Sequence, residues 1–290
     1  MEPNNQPAPR PMMTFRPGMK VWLLVALYMA CGGILQLASR SSALAWMSAG
    51  PDDGYPAFYG RIAWAIYTIV TCALPVIVFA NVFPPERFAW FRIGVKVHPM
   101  IVVVGILAMI SASLGFDQIS DWISHAITDP SLKELQDLGT KDSQWVLQMP
   151  TVGDLLFCLF ANAFIPALCE ELFFRAGLQQ LFSEWTKKPH LSVFMSAAFF
   201  SFVHFDPAGF PVIFLAGLML GYAFYWTGSL RAGIAMHFMF NAFSIVVSYF
   251  SQHSATVASW NPPIALSMGG LALSGLLMFL FWKKSRQQIN

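Results

Sequence analysis

The chain has 290 residues, 56% of them hydrophobic and only 11% charged, whereas soluble proteins carry roughly a quarter charged residues. That excludes a soluble globular enzyme. A formal net charge of +2 creates no field of the kind nucleic-acid partners require. The 27 Phe and 10 Trp suit lipid-facing and interfacial surfaces, so the expected partner is the lipid bilayer.

Residues 1–18 are polar and Pro-rich, with Arg10 and Arg16 ahead of a full-length apolar stretch. They lack the short apolar core and small-residue cleavage site of a signal peptide and read as a disordered cytoplasmic tail. A membrane helix needs about 20 apolar residues to cross ~30 Å of hydrocarbon. Uncharged runs between Lys20 and Arg40, Arg61 and Glu86, and Lys96 and Asp117 predict the first three spans. Residues 19–149 thus form an N-terminal unit of three helices and one loop. The loop, residues 118–150, is polar, and its Pro130 and Pro150 leave room for a short amphipathic helix. The fourth span begins near Val152 and runs past Glu170, Glu171 and Arg175. The fifth, residues 189–205, is short, and the sixth covers residues 211–226. Residues 232–282 hold no Asp, Glu, Lys or Arg and make two spans, split by turn-like residues 251–254 and 260–263. The expected fold class is all-α: a polytopic membrane protein with about eight transmembrane helices around a polar intramembrane cavity. Residues 150–250 hold helices four to seven, and residues 251–290 hold the eighth and a second tail.

Lys and Arg placement tests the span count independently. With the N-terminus inside, twelve fall on cytoplasmic segments and four (Arg40, Arg61, Lys133, Lys141) on the opposite side. Both termini are expected to be cytoplasmic. Cys31, Cys72, Cys158 and Cys169 lie in apolar runs without a Cys-x-x-Cys pair. They read as packing residues, not as a disulfide framework or thiolate zinc site.

Charged groups at membrane depth cost several kcal/mol and mark either function or a paired structural role. Glu171 and Arg175 are four apart with the acid first, the order that favours a helical ion pair. Glu170 is rotated ~100° away and has no local cation, which makes it a candidate for chemistry. His204 follows Phe200 by four residues, and His237 precedes Asn241 by four, on one face of span seven. Each could be hydrogen-bonded packing glue; two on one face suggest a polar cavity. Glu170 and His204 lie at similar distances from the turn at Lys187 and Lys188, about 25 Å at ~1.5 Å per residue. Two helical arms would bring them level. His237 matches that level if the hairpin, with its polar Gln179, Gln180, Ser183 and Glu184, projects ~10 Å beyond the membrane. Asp206-Pro207-Ala208-Gly209 after the short span implies irregular backbone at depth, which survives against protein or a water-filled cavity.

Together Glu170-Glu171-xxx-Arg175, Phe200-xxx-His204 and His237-xxx-Asn241, in this order, resemble the signature of the CAAX-protease and bacteriocin-processing (CPBP, or Abi) family of intramembrane proteases. The resemblance covers about residues 150–250, which would be the catalytic helices. It implies that Glu170 activates water as general base and His204 helps position it. His237 and Asn241 would stabilise the oxyanion, with Glu171, Arg175 and Phe200 supporting them from behind. Substrates would be membrane-associated or prenylated peptides and proteins, as in CAAX processing. No cofactor is expected; the alternative is a Zn²⁺ site made of Glu170, His204 and His237 with an open position. Two other readings remain, a proton-coupled transporter and a non-catalytic membrane scaffold. The expected location is a bacterial plasma membrane, with the site opening to the cytoplasm.

Overall fold

A chain this apolar must satisfy its backbone polar groups within each segment, which an α-helix does without water. The computed structural model describes residues 15–83 and 91–289, and among them there are helices and no strand. In chain order these are α1 (Pro17–Ser39), α2 (Ala57–Val82), α3 (Pro99–Ala126), α4 (Pro130–Val146), α5 (Val152–Thr186), α6 (Pro189–Phe202), α7 (Phe210–Thr227), α8 (Leu230–His253) and α9 (Ile264–Ile289). All but α4 and α6 are long and apolar enough to cross a membrane. α6, where the short fifth span was expected, has 14 residues and falls short of that length, so the described residues hold seven such helices where about eight were expected. The chain is an all-α polytopic membrane protein.

Several boundaries differ from expectation for local reasons. α1 begins at Pro17, whose fixed φ is ready-made for a first helical turn, so the tail stops short of residue 18. Residues 1–14 of that tail, and Glu86 and Arg87, lie outside the described residues. α3 continues past Asp117 and Asp121 to Ala126, because nothing breaks it before Asp129, whose helical conformation Pro130 disfavours. Asp129 then caps α4, its carboxylate accepting from Ser131 N and Leu132 N at 3.0 and 3.1 Å. The polar loop is therefore mostly helix, and the expected amphipathic segment is α4.

Arg61, expected as a loop cation, sits in the first turns of α2 and is only 1% exposed. It donates to the Val146 carbonyl at 2.9 Å, to Asp154 Oδ1 at 3.0 Å and to the Gln148 carbonyl. Trp145 of α4 donates to the Tyr55 carbonyl at 3.1 Å and lies flat on Gly60. These contacts fasten the starts of α2 and α5 and the end of α4 at one end of the bundle.

Two helices widen locally into π turns, α2 at Ile69–Ala73 and α5 at Leu159–Phe164. Each is followed within two residues by a proline, Pro75 or Pro166. Proline lacks an N–H and its ring crowds the preceding turn, so a widened turn ahead of it relieves the clash. A second wide turn of α5, Leu172–Gln179, begins directly after Glu171 and has no such proline.

Three apolar clusters hold the bundle. One joins α1, α2, α5 and α6 through Leu24, Phe79, Phe173, Phe174 and Phe200. A second joins α3, α7, α8 and α9 through Met109, Leu220, Met236 and Phe281. A third joins α5 to α8 through Cys158, Ala163 and Ile245. α5 and α8 are thus central, and α3 and α9 pack closely together on one side. A Cβ added at Gly270 would stand 2.6 Å from the Ser111 carbonyl oxygen, whereas one at Gly269 would meet nothing within 4 Å. Gly270→Ala is expected to cost about 1–3 kcal/mol through forced separation of α3 and α9. Gly269→Ala should be neutral or gain up to ~1 kcal/mol from helix propensity. Thermal unfolding of both variants in detergent checks this; equal midpoints would contradict the close approach.

Candidate active site

Where its middle α-helical stretch, Ile165–Glu171, meets its second wide turn, α5 presents Glu170 and Glu171 in different directions. Glu171 is fully buried, and its Oε1 lies 2.8 Å from Arg175 Nη1, the ion pair expected four residues on. Arg175 is 1% exposed, donates from Nη2 to the Gly217 carbonyl at 3.2 Å, and sits 4.8 Å over the Phe200 ring. The carbonyl takes Nη2 and the ring covers the guanidinium face, while Nε is buried without a hydrogen-bond partner among the described residues.

The same Glu171 Oε1 is 3.0 Å from His237 Nδ1 on α8. A carboxylate ionised against Arg175 only accepts, so Nδ1 carries the proton and the tautomer of His237 is fixed. Its other nitrogen, Nε2, then lies 3.8 Å from Glu170 Oε2. Glu170, 9% exposed, has this imidazole as its ion-pair contact among the described residues. The run Glu170, His237, Glu171, Arg175 is therefore one continuous polar chain through an apolar bundle.

Missing side chains make this approach possible. A Cβ at Gly233, one turn before His237, would sit 2.8 Å from Glu171 Oε2. On α7, Gly217 and Gly221 are four apart. The Gly217 carbonyl receives Arg175, and the Gly221 carbonyl receives Gln179 Nε2 at 3.0 Å. Arg175 and Gln179, also four apart, make matched rungs to α7.

The remaining expected site residues are placed differently. His204 was expected on a helix, but α6 ends at Phe202 and His204 lies in the turn beyond. Phe205 adopts φ 51° and Asp206 accepts from Gly209 N at 2.9 Å, which stops the helix there. His204 Nδ1 is 2.6 Å from the Phe200 carbonyl; a carbonyl only accepts, so here too Nδ1 carries the proton and Nε2 is left available. Phe200 bridges the two imidazoles, its ring 4.7 Å from His204 and 5.9 Å from His237. Asn241 is half-buried one turn beyond His237.

Sequence reasoning missed Gln179. It was expected in a polar hairpin outside the membrane, yet it is buried and bonded to α7. The spacing 171, 175, 179, one face of one helix, was the available signal. It also treated Glu171 and His237 as belonging to separate tasks, because their contact joins positions far apart in sequence.

A zinc ion would need three converging donors. Among the described residues no three His, Cys, Asp or Glu side chains gather to hold a metal. The Nδ1 atoms of His204 and His237 are committed to Phe200 and Glu171, which leaves each Nε2 as the nitrogen by which either imidazole could ligate a metal.

Residues 152–243, from the start of α5 into α8, match a family model described as type II CAAX prenyl endopeptidase Rce1-like. That stretch, about a third of the chain, is related to the CPBP/CAAX protease family. Every polar residue of the cluster lies inside the matched stretch. The matched family is one of peptide-bond hydrolases, and among the described residues the chain has seven helices long and apolar enough to cross a membrane. Among curated proteins and among solved structures, nothing matches.

Removing one partner of a buried ion pair typically costs 3–5 kcal/mol, whereas replacing both by apolar groups is often neutral or stabilising. Arg175→Met is expected to lower the thermal midpoint in detergent sharply, and Glu171→Leu with Arg175→Met to recover most of it. A single variant as stable as the wild type would show that the pair carries no such constraint.

Proposed function

We propose that the chain is an intramembrane endopeptidase that cleaves membrane-associated substrates of the prenylated CAAX type, using a water activated by Glu170. The observation that carries this reading is the asymmetry of the two carboxylates. Glu171 is neutralised by Arg175 and committed to His237, while Glu170 is buried and faces an imidazole nitrogen.

A water beside Glu170 gives its proton to that carboxylate as its oxygen attacks the scissile carbonyl carbon. Glu170 then passes the proton to the departing amine, so the acid formed in the first step is consumed in the second. The tetrahedral oxyanion needs donors already in place. Asn241 supplies an amide N–H, and His237 in its doubly protonated form supplies Nε2–H, its ring held by Glu171. His204, held through Nδ1, offers Nε2 to orient the water. The Lys and Arg distribution supports cytoplasmic termini and a site opening to the cytoplasm.

The test is cleavage of fluorogenic prenylated and plain peptides by the purified protein. Glu170→Gln is expected to lower kcat by about 10²- to 10⁴-fold, the usual contribution of a general base, with the protein still folded. Wild-type activity is expected to survive a chelator. Equal rates for wild type and variant would overturn Glu170 as base, and loss to chelator with recovery on adding zinc would overturn the metal-free mechanism. Separately, Asn241→Ala is expected to lower kcat about 10²- to 10³-fold with little change in KM, as loss of an oxyanion donor does. A change confined to KM would assign Asn241 to substrate binding instead.

A further inference from the structure

Where α7 turns into α8, the loop leading into α3 meets the start of α8 and the end of α9, and five exposed cations come with them. These are Lys96 on the loop, Arg231 on α8, and Lys283, Lys284 and Arg286 on α9. The loop is tied down from both helices. Ser229 Oγ donates to the Val95 carbonyl at 2.8 Å, and Arg231 Nη2 donates to the carbonyls of Gly94 and Val95, each at 3.3 Å. From α9, Gln288 Nε2 donates to the Lys96 carbonyl and its Oε1 accepts from His98 N, both at 3.0 Å. Lys284 precedes Gln288 by one turn on the same helix face, so it stands beside the loop that carries Lys96.

No acid answers these charges. Residues 91–116 and 207–290 contain neither Asp nor Glu. Among the described residues none of the five cations forms an ion pair. Arg231 spends its donors on neutral carbonyls, and the Arg286 guanidinium lies 5.6 Å from the Trp282 ring, so both charges stand. The patch also sits at a defined depth. Trp226 and Trp282 belong to the last turns of α7 and α9, where tryptophan marks the headgroup level of a bilayer. Ile93 and Val95, on either side of the tethered carbonyls, are exposed beside Lys96. Cations flanked by exposed apolar side chains and interfacial tryptophan suit an amphiphile with an anionic head. A soluble polyanion would leave the apolar part unmatched.

We propose that this end of the bundle is a binding site for an anionic phospholipid, whose headgroup phosphate bridges the loop before α3 to the ends of α8 and α9. Basic residues clustered just beyond membrane helices attract anionic lipid, each adding roughly fivefold to affinity. The bound lipid fastens a loop that is otherwise held through its backbone alone.

The test is a titration of short-chain phosphatidylglycerol or phosphatidylcholine into the purified protein in detergent, read as the thermal midpoint. A ligand that binds the folded state raises that midpoint. Phosphatidylglycerol is expected to raise it saturably, and phosphatidylcholine to leave it near its starting value. Lys96→Gln with Lys284→Gln should increase the half-saturating concentration on the order of 25-fold. Lys133→Gln with Lys141→Gln on α4, which removes the same charge from exposed positions elsewhere, should leave it unchanged. Lys283→Gln with Lys284→Gln alters exposed side chains of α9 alone and covers the case in which the loop variant does not fold. Equal responses to the two lipids overturn the proposal, as does a phosphatidylglycerol response that survives both patch variants. An equal loss in the α4 variant also overturns it, by reducing the effect to net charge. A comparable rise with inorganic phosphate or a single-stranded oligonucleotide would assign the patch to a soluble anion instead.

Discussion

Glu171 and Arg175 are held where neither can reach water, and this constraint dictates how α5, α7 and α8 meet. A charge in apolar surroundings costs least when it is paired and its remaining donors and acceptors are met. The pair lies one helical turn apart on α5, but that contact alone leaves most of both groups unmet. The Gly217 carbonyl and the Phe200 ring serve the guanidinium and His237 serves the carboxylate, while Arg175 Nε and Glu171 Oε2 are left without a hydrogen-bond partner among the described residues. Each of the three partners comes from a different helix. Missing side chains leave the room: a Cβ at Gly233 would meet Glu171 Oε2, one at Gly221 would meet Val193 and Gln179, and one at Gly217 would meet Ala197 and Phe200 of α6. The helix packing at the centre of the bundle is thus organised around one ion pair.

Adjacency then separates the two carboxylates. Consecutive residues on a helix point about 100° apart, so a cation that neutralises one does not neutralise the other. Identical side chains acquire different chemistry from environment alone. Glu171 becomes a fixed anion that orients an imidazole; Glu170 stays close to that imidazole without being bonded to it. The match of residues 152–243 to a CAAX endopeptidase family falls on the stretch that builds this asymmetry. The helices outside it, α1–α4 and α9, contribute packing surfaces such as Tyr28, whose ring rests 5.0 Å from that of Phe173.

Much of this was legible in the sequence because charge is scarce in it. Gaps between charges gave the spans, and the spacing of Glu171 and Arg175, and of His237 and Asn241, gave two helical faces. What escaped was whatever depends on contacts between helices. The Glu171–His237 bond spans 66 positions, and no local spacing encodes it. Gln179 reads as polar, hence external, until Gly221 appears opposite it. Arg61 reads as a loop cation until the carbonyls of Val146 and Gln148 close around it. His204 was taken as helical because its neighbours are apolar, but the left-handed Phe205 and the Asp206–Gly209 turn end the helix first. In each case backbone acceptors, which a sequence does not display, decided the outcome.

α6 has 14 residues, a rise of about 21 Å against a hydrocarbon core of ~30 Å. Phe202, Phe205 and Phe210 lie exposed around its far end, so that flank meets lipid with a wall that is too low. Hydrophobic mismatch of this kind is relieved by thinning the adjacent bilayer, at a cost that grows with each ångström. Acyl-chain length thereby becomes a variable that this protein feels. A thicker membrane loads the flank, a thinner one relaxes it, and the load falls on the turn that carries His204.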